Sequence, residues 1–287
     1  MREISVTANG LTFACLEEGE GPLALCLHGF PDSAHTWRHL VPELARAGFR
    51  AVAPFTRGYA PTEVPADGCY QAGALIGDAV ALHDVLGGDS AAVLVGHDWG
   101  AMTAYGAAAF EPNRWRRVVA MAVPPFIAAA QAVLGYDQIK RSFYVWLFQI
   151  PLAEAVVPMN DLEFIGRLWR DWSPTLSDGP DLANAKDALR DPRSLGAAIG
   201  YYRGMQSSDT HQERYAPAQA AIGLVAPQPT LYLHGGADGA FSALAAEQVL
   251  PLLSAESRYE IVPDRGHFLH LERPDEINPR ILDWLIT

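Results

Sequence analysis

Five short stretches of unbroken apolar sequence constrain this chain more than any other feature: LALCLH (23–28), AVAP (51–54), AAVLVGH (91–97), RVVAMAV (117–123) and PTLYLHG (229–235). A strand with one wet face alternates apolar and polar residues. One that is apolar at every position is covered on both faces, as in a parallel sheet held between helical layers. Stretches of helical character over about 36–47, 71–87 and 101–110 separate the early runs and supply the right-handed crossovers that parallel strands require. A further strand fits RYEIVP (258–263), and helices fit about 242–252 and 275–286. Ahead of all these, 2–7 and 11–16 read as a hairpin around Asn9-Gly10, two residues that tolerate the positive φ of a tight turn. The fold class is α/β.

From Pro124 to about Tyr215 the alternation of strand and helix stops, and the sequence reads as helices and loops rich in aromatic residues. A chain of 287 residues is close to the limit for one hydrophobic core, which suits a core domain carrying an insertion. The expected division is a core of 1–124 and 216–287 with a helical cap at 125–215.

Charge and cysteine usage exclude several classes. The net charge is -12, from 21 Lys+Arg against 33 Asp+Glu, and no basic run exceeds the Arg114, Arg116, Arg117 cluster, so a nucleic-acid backbone has no electrostatic footprint here. Cys15, Cys26 and Cys69 have no metal-ligand spacing and are odd in number, so they read as apolar packing residues in a reducing compartment. MREISVTANG lacks the apolar stretch of a signal peptide, and the longest apolar run, Val118 to Ala130, is broken by Pro124 and Pro125. A cytoplasmic protein that does not span a membrane is expected.

The chemistry starts from Gly96-His97-Asp98-Trp99-Gly100, set between a buried strand and a helix of small residues. Glycines flanking one strained residue let a chain turn sharply from strand to helix and lift that residue's side chain out of the sheet, as in a nucleophile elbow. The plainer reading is that Asp98 only caps the helix. If it is the nucleophile, the residue type selects the reaction. A serine attacking a saturated carbon would leave an ether that activated water cannot cleave, whereas an aspartate leaves an ester that it can. An sp³ electrophile such as an epoxide or alkyl halide follows.

His28-Gly29-Phe30-Pro31, directly after a strand, can set the Phe30 amide beside that of Trp99 as a pair of oxyanion donors; the plainer alternative is a simple turn. Of the nine histidines, His39 and His83 lie on helical stretches and read as surface or packing residues. His267, in a short Gly-containing loop after the last strand, stands where open α/β sheets put their sites and completes the order nucleophile, acid, histidine. Asp238, in the loop after 229–234, is the favoured orienting acid; Asp264, three residues before His267, is the competitor.

The segments HGFP (28–31), GHDWGA (96–101), GGADG (235–239) and RGHF (265–268) occur in the order and spacing of the α/β-hydrolase-fold epoxide hydrolases, which the chain resembles over essentially its whole length. The resemblance implies a mostly parallel central sheet with helices on both faces and an inserted helical cap. It also implies two cap tyrosines that donate to the epoxide oxygen: Tyr144 in FYVWLFQ (143–149), and Tyr202 in GYYR (200–203) with Tyr201 as understudy. A phenol aimed at that oxygen stabilises the alkoxide formed on ring opening and delivers a proton; the plainer role for these rings is aromatic packing. Phe30, Trp99, Trp146 and Tyr201 are the expected contacts for an apolar aryl or alkyl epoxide. Asp98, His267 and Asp238 would convert it with water to a vicinal diol, with no metal or organic cofactor, in a monomer or homodimer.

Haloalkane dehalogenases resemble the chain as well, but commonly place Asn or a second cap Trp as a halide donor, and Phe30 stands where that Asn is expected. Fluoroacetate dehalogenases would be expected to carry Arg after the nucleophile, where this chain has Trp99. A non-catalytic ligand-binding homologue would be marked by loss of a triad member, and none is lost.

Overall fold

The computed structural model describes residues 1–243 and 249–287. Residues 244–248 of the helix expected over about 242–252 lie outside the described residues, and Leu250–Leu252 form a short 3-10 turn. Eight strands form one sheet: β1 (Arg2–Ala8), β2 (Leu11–Glu18), β3 (Leu23–Leu27), β4 (Arg50–Pro54), β5 (Val93–His97), β6 (Arg117–Met121), β7 (Thr230–Gly235) and β8 (Arg258–Val262). Their order is β1-β2-β4-β3-β5-β6-β7-β8, antiparallel at β1·β2 and β2·β4 and parallel throughout the rest. The β1–β2 hairpin pairs Ala8 with Leu11, and Asn9 (φ 47) and Gly10 (φ 77) turn it in the left-handed region as their residue types allow. Strands β3, β5 and β7 are buried at every position, whereas β8, at the sheet edge, is buried only at its end.

Helices cover both faces. Leu40, Val41 and Leu44 of α1 (Leu40–Arg46) share one apolar layer with residues of the C-terminal helix. The opposite layer holds α2 (Ala72–Val85) and α3 (Trp99–Phe110), whose alanines and glycines allow close approach to the strands. Between β6 and β7 lie α4 (Phe126–Ala132), α5 (Tyr136–Arg141), α6 (Phe143–Leu147), α7 (Leu152–Val156), α8 (Met159–Trp172), α9 (Pro180–Leu189), α10 (Pro192–Gln206) and α11 (Ala216–Ala221). After β8 come α12 (Leu269–Glu272) and α13 (Pro274–Ile286), the C-terminal helix.

The helices after β6 lie across loops that leave the carboxyl ends of the strands. Trp169 Nε1 donates to the Pro31 carbonyl beyond β3, and the Tyr201 hydroxyl donates to the Arg57 carbonyl beyond β4. The Trp172 carbonyl accepts from the amides of Gly239, beyond β7, and His267, beyond β8. One aromatic cluster, including Phe30, Trp99, Tyr144, Phe148, Trp172 and Tyr202, joins these helices to the loops beneath them.

Candidate active site

The turn from β5 into α3 passes through Asp98 at φ 54, ψ -119, a conformation that costs a non-glycine residue about 1–3 kcal/mol. Its neighbours leave room for nothing larger than glycine. A Cβ on Gly96 would stand 2.2 Å from the Gly100 carbonyl oxygen, and one on Gly100 would stand 2.0 Å from that of Leu27. Asp98 makes no capping bond to α3, so its carboxylate is not spent on the helix it precedes.

That carboxylate has one donor and one imidazole. The Phe30 amide donates to Oδ1 at 2.7 Å, and His267 Nε2 stands 3.6 Å from Oδ2. Gly29 makes the approach possible: a Cβ there would lie 2.3 Å from Asp98 Oδ1 and 2.6 Å from the Trp99 nitrogen, so the Trp99 amide is on the same side of the carboxylate. His267 Nδ1 is 2.9 Å from Asp238 Oδ2, while Asp238 Oδ1 accepts from the amides of Ala240 (2.7 Å) and Phe241 (3.0 Å). A carboxylate facing Nδ1 fixes the proton there and leaves Nε2 directed at Asp98. Asp264, in a left-handed turn at φ 58, does not take this place.

Burial alone would raise both carboxylic acids, but the His267 imidazole outweighs it and holds Asp98 and Asp238 below the usual carboxylate range. Burial would equally lower His267; Asp238, and then Asp98, overcome it and raise the imidazole. Each group thus favours the charged form of its neighbour.

Tyr144 on α6 and Tyr202 on α10 face one another with ring centroids 5.5 Å apart. Burial pushes both phenols up, and the Tyr202 hydroxyl is buried without a hydrogen-bond partner. Both rings line a cavity of about 250 Å³, together with Asp98, Trp99 and His267. Three residues expected to meet substrate do not present their side chains there. Phe30 contributes its amide while its ring is wholly buried in the aromatic cluster. Trp146 is 47% exposed because it lies two residues from Tyr144, on the other side of a helix that turns about 100° per residue. The same geometry separates Tyr201 from Tyr202, and Tyr201 instead bonds the Arg57 carbonyl.

Sequence reading missed much of the cavity wall. Val123, Phe126, Ala129, Ala130 and Val133 line it from the segment after β6, and Met205 and Gln206 from the end of α10. Their only sequence signal was proximity to the two prolines that end β6 and to GYYR. Gln138 was missed as well. Its buried amide donates to Ser142 Oγ and the Ala240 carbonyl and accepts from the Ser242 amide, fastening the segment that follows Asp238.

Among the described residues one set has the composition of a metal site: Asp32, His97 and His270, with donor atoms within 4.8 Å of one another. Burial raises the Asp32 carboxyl above its usual value and lowers both imidazoles, in each case away from the charged form. Its connection to the site is His97 Nε2, 3.0 Å from the His267 carbonyl oxygen.

Comparison with known proteins bears on this arrangement. The model of the alpha/beta hydrolase fold family matches residues 22–274. An epoxide hydrolase of Caballeronia sordidicola is 43% identical, with the alignment covering 100% of this chain and 94% of that protein. Epoxide hydrolase A of Mycobacterium tuberculosis is 29% identical over 98% of this chain and 96% of its own length. The crystal structure of epoxide hydrolase A from Mycobacterium thermoresistibile superposes with a TM-score of 0.82 at 27% identity, covering 99% of this chain and 98% of the other.

Proposed function

Because this chain belongs to the epoxide hydrolases of the α/β-hydrolase fold, we propose that it opens its substrate in two steps built on Asp98. The enzyme hydrolyses the ether bond of an epoxide and needs no cofactor. In the first step Asp98 Oδ2 attacks a ring carbon from the side opposite the breaking C–O bond, forming an alkyl ester. Tyr144 and Tyr202 donate to the epoxide oxygen and one of them protonates the alkoxide. In the second step His267 Nε2 takes a proton from water, which attacks the Asp98 carboxyl carbon. The amides of Phe30 and Trp99 hold the oxyanion on Oδ1, and Asp238 stabilises the imidazolium. Collapse breaks the bond between that carbon and Oδ2 and the second water proton passes to the departing oxygen, so the diol leaves with an Asp98 oxygen and the water oxygen stays in the carboxylate.

The observation that carries the reading is a pair of buried atoms at one cavity, His267 Nε2 and the Tyr202 hydroxyl, neither with a hydrogen-bond partner. An unmet buried donor or acceptor costs about 1–3 kcal/mol, which substrate and water would recover. Making and breaking the ester also resets the charges. Esterification neutralises Asp98 and removes one of the two carboxylates that hold a proton on His267; that proton passes to the tyrosinate left by the first step, so alkylation itself releases the base needed for the second.

The residues 125–215 act as the cap over a core of 1–124 and 216–287 in this reading. No helix among the described residues is long and apolar enough to cross a membrane. The proposed location is the cytosol, in keeping with three buried, unpaired thiols at Cys15, Cys26 and Cys69; the enzyme would act there as a monomer or homodimer. The test is incubation of the purified protein with a styrene-type epoxide, a chloroalkane and fluoroacetate, measuring diol, chloride and fluoride separately. Diol alone is expected; halide release without diol overturns the reading.

A further inference from the structure

The cavity reaches the nucleophile beside the two tyrosines, and packed rings lie against those tyrosines outside it. From Asp98 and the two tyrosines it runs between Val123, Phe126 and Val133 and the end of α10 at Met205. Behind the tyrosines, Phe148 packs at ring-centroid distances of 5.7 Å from Tyr144 and 5.2 Å from Tyr202. Phe30 stands 5.5 Å from Phe148 and 5.3 Å from Tyr202, and Trp172 closes on Tyr144 at 5.0 Å. Phe30, Phe148 and Trp172 are at most 1% exposed, and none of them borders the cavity.

An epoxide held with its oxygen at the two hydroxyls and one ring carbon at Asp98 has its C–C bond lying across this boundary. A substituent on one carbon can run down the apolar arm. A trans substituent on the other carbon projects the opposite way, into the rings of Phe30, Phe148 and Trp172. A close-packed aromatic wall does not yield to an added methyl group without strain.

The geometry points to a substrate class, resting on the epoxide hydrolase reading above: terminal epoxides, with a single apolar arm on one ring carbon and only hydrogen on the other. A volume of about 250 Å³ falls below the roughly 300–1,000 Å³ usual for small-molecule sites, which limits the arm to an aryl ring or a short alkyl chain. Phe148 is the specificity-determining residue. It touches both tyrosine rings from behind and sets the depth available to a second substituent.

The experiment compares kcat/KM for styrene oxide and trans-β-methylstyrene oxide, which carry the same arm and differ by one methyl on the second ring carbon. Wild-type protein is expected to favour styrene oxide by at least about 30-fold, the rate cost of forcing one methyl into a packed wall. Phe148→Leu, and Phe148→Ala where it folds, should shrink that preference by about 10-fold or more while turnover of styrene oxide persists. Comparable kcat/KM for the two epoxides in the wild type, or an unchanged preference in a folded Phe148→Leu, overturns the one-armed site and leaves the epoxide hydrolase reading standing. Failure to turn over either epoxide, or any other in a broad panel, overturns both.

Discussion

The Phe30 amide holds Asp98 by Oδ1, at 2.7 Å, and so divides the work of its two oxygens before any substrate arrives. Oδ2 lies on the His267 side and is the oxygen that attacks carbon in the proposed scheme. Oδ1 already sits on the donor that would hold the oxyanion in that scheme, so its second step would begin with no rearrangement of the carboxyl group. Such prearranged donors stabilise charge without reorganising during the reaction.

His267→Gln keeps an amide where the imidazole was but removes the base. Single-turnover reaction with styrene oxide should leave the ester intact, seen by mass spectrometry as one substrate mass on the peptide that contains Asp98. An unmodified peptide after a competent first step counts against the scheme. In ¹⁸O-water the wild type should place the first label in Asp98 and not in the diol.

The two adjacent tyrosines on α10 should behave differently. Tyr202→Phe removes a buried hydroxyl without a partner, so the alkylation rate should fall by about 10²-fold while the melting temperature holds or rises. Tyr201→Phe breaks a bond to the Arg57 carbonyl and should cost about 1 kcal/mol of stability with alkylation unaltered. Stopped-flow tryptophan fluorescence and thermal melts separate the two outcomes.

The half-reactions should differ in their response to pH. Asp98 titrates below its usual value of 3.8, and the phenols of Tyr144 and Tyr202 above 10, so alkylation should be level between about pH 5 and 9. His267 is raised above 6.5 by Asp238 and Asp98. Its ion pairing therefore stabilises the fold fully below that value and fades as pH rises through the folded-state pKa. Asp98→Asn, which mimics the neutral ester, should lower the imidazole pKa measured by NMR. An unchanged or higher value would show that alkylation does not release the base.

Gly100→Ala tests the elbow as a structure. Its Cβ would meet the Leu27 carbonyl oxygen at 2.0 Å, a backbone atom held in the sheet. The variant should lose about 3 kcal/mol or more, or fail to fold, in chemical denaturation. Wild-type stability would mean that β3 and α3 can separate.

The inner strands β3, β5 and β7 were legible in the sequence because burial on both faces selects near-continuous apolar runs, and each expected strand formed within a few residues of its place. Asp98, Asp238 and His267 were legible for another reason: each sits in a loop whose glycines and neighbours are dictated by backbone geometry. The cavity wall was not. Tyr201 and Tyr202 are both buried and aromatic, and which of them faces substrate depends on the rotation of α10 about its axis, set by contacts with Trp99, Tyr59 and Phe148 that arrive from distant parts of the chain. Trp146 misled in the same way, since an exposed tryptophan and a pocket tryptophan look alike in sequence.

A single backbone oxygen, that of Trp172 at the end of α8, is shared by the loop bearing the acid and the loop bearing the base. Were α8 to swing outward like a hinged door, it would release Gly239 and His267 together and dismantle the charge relay at each cycle. In the proposed scheme epoxide and diol therefore pass where Phe126 and Ala129 of α4 and Met205 of α10 line the cavity, with α8 left in place.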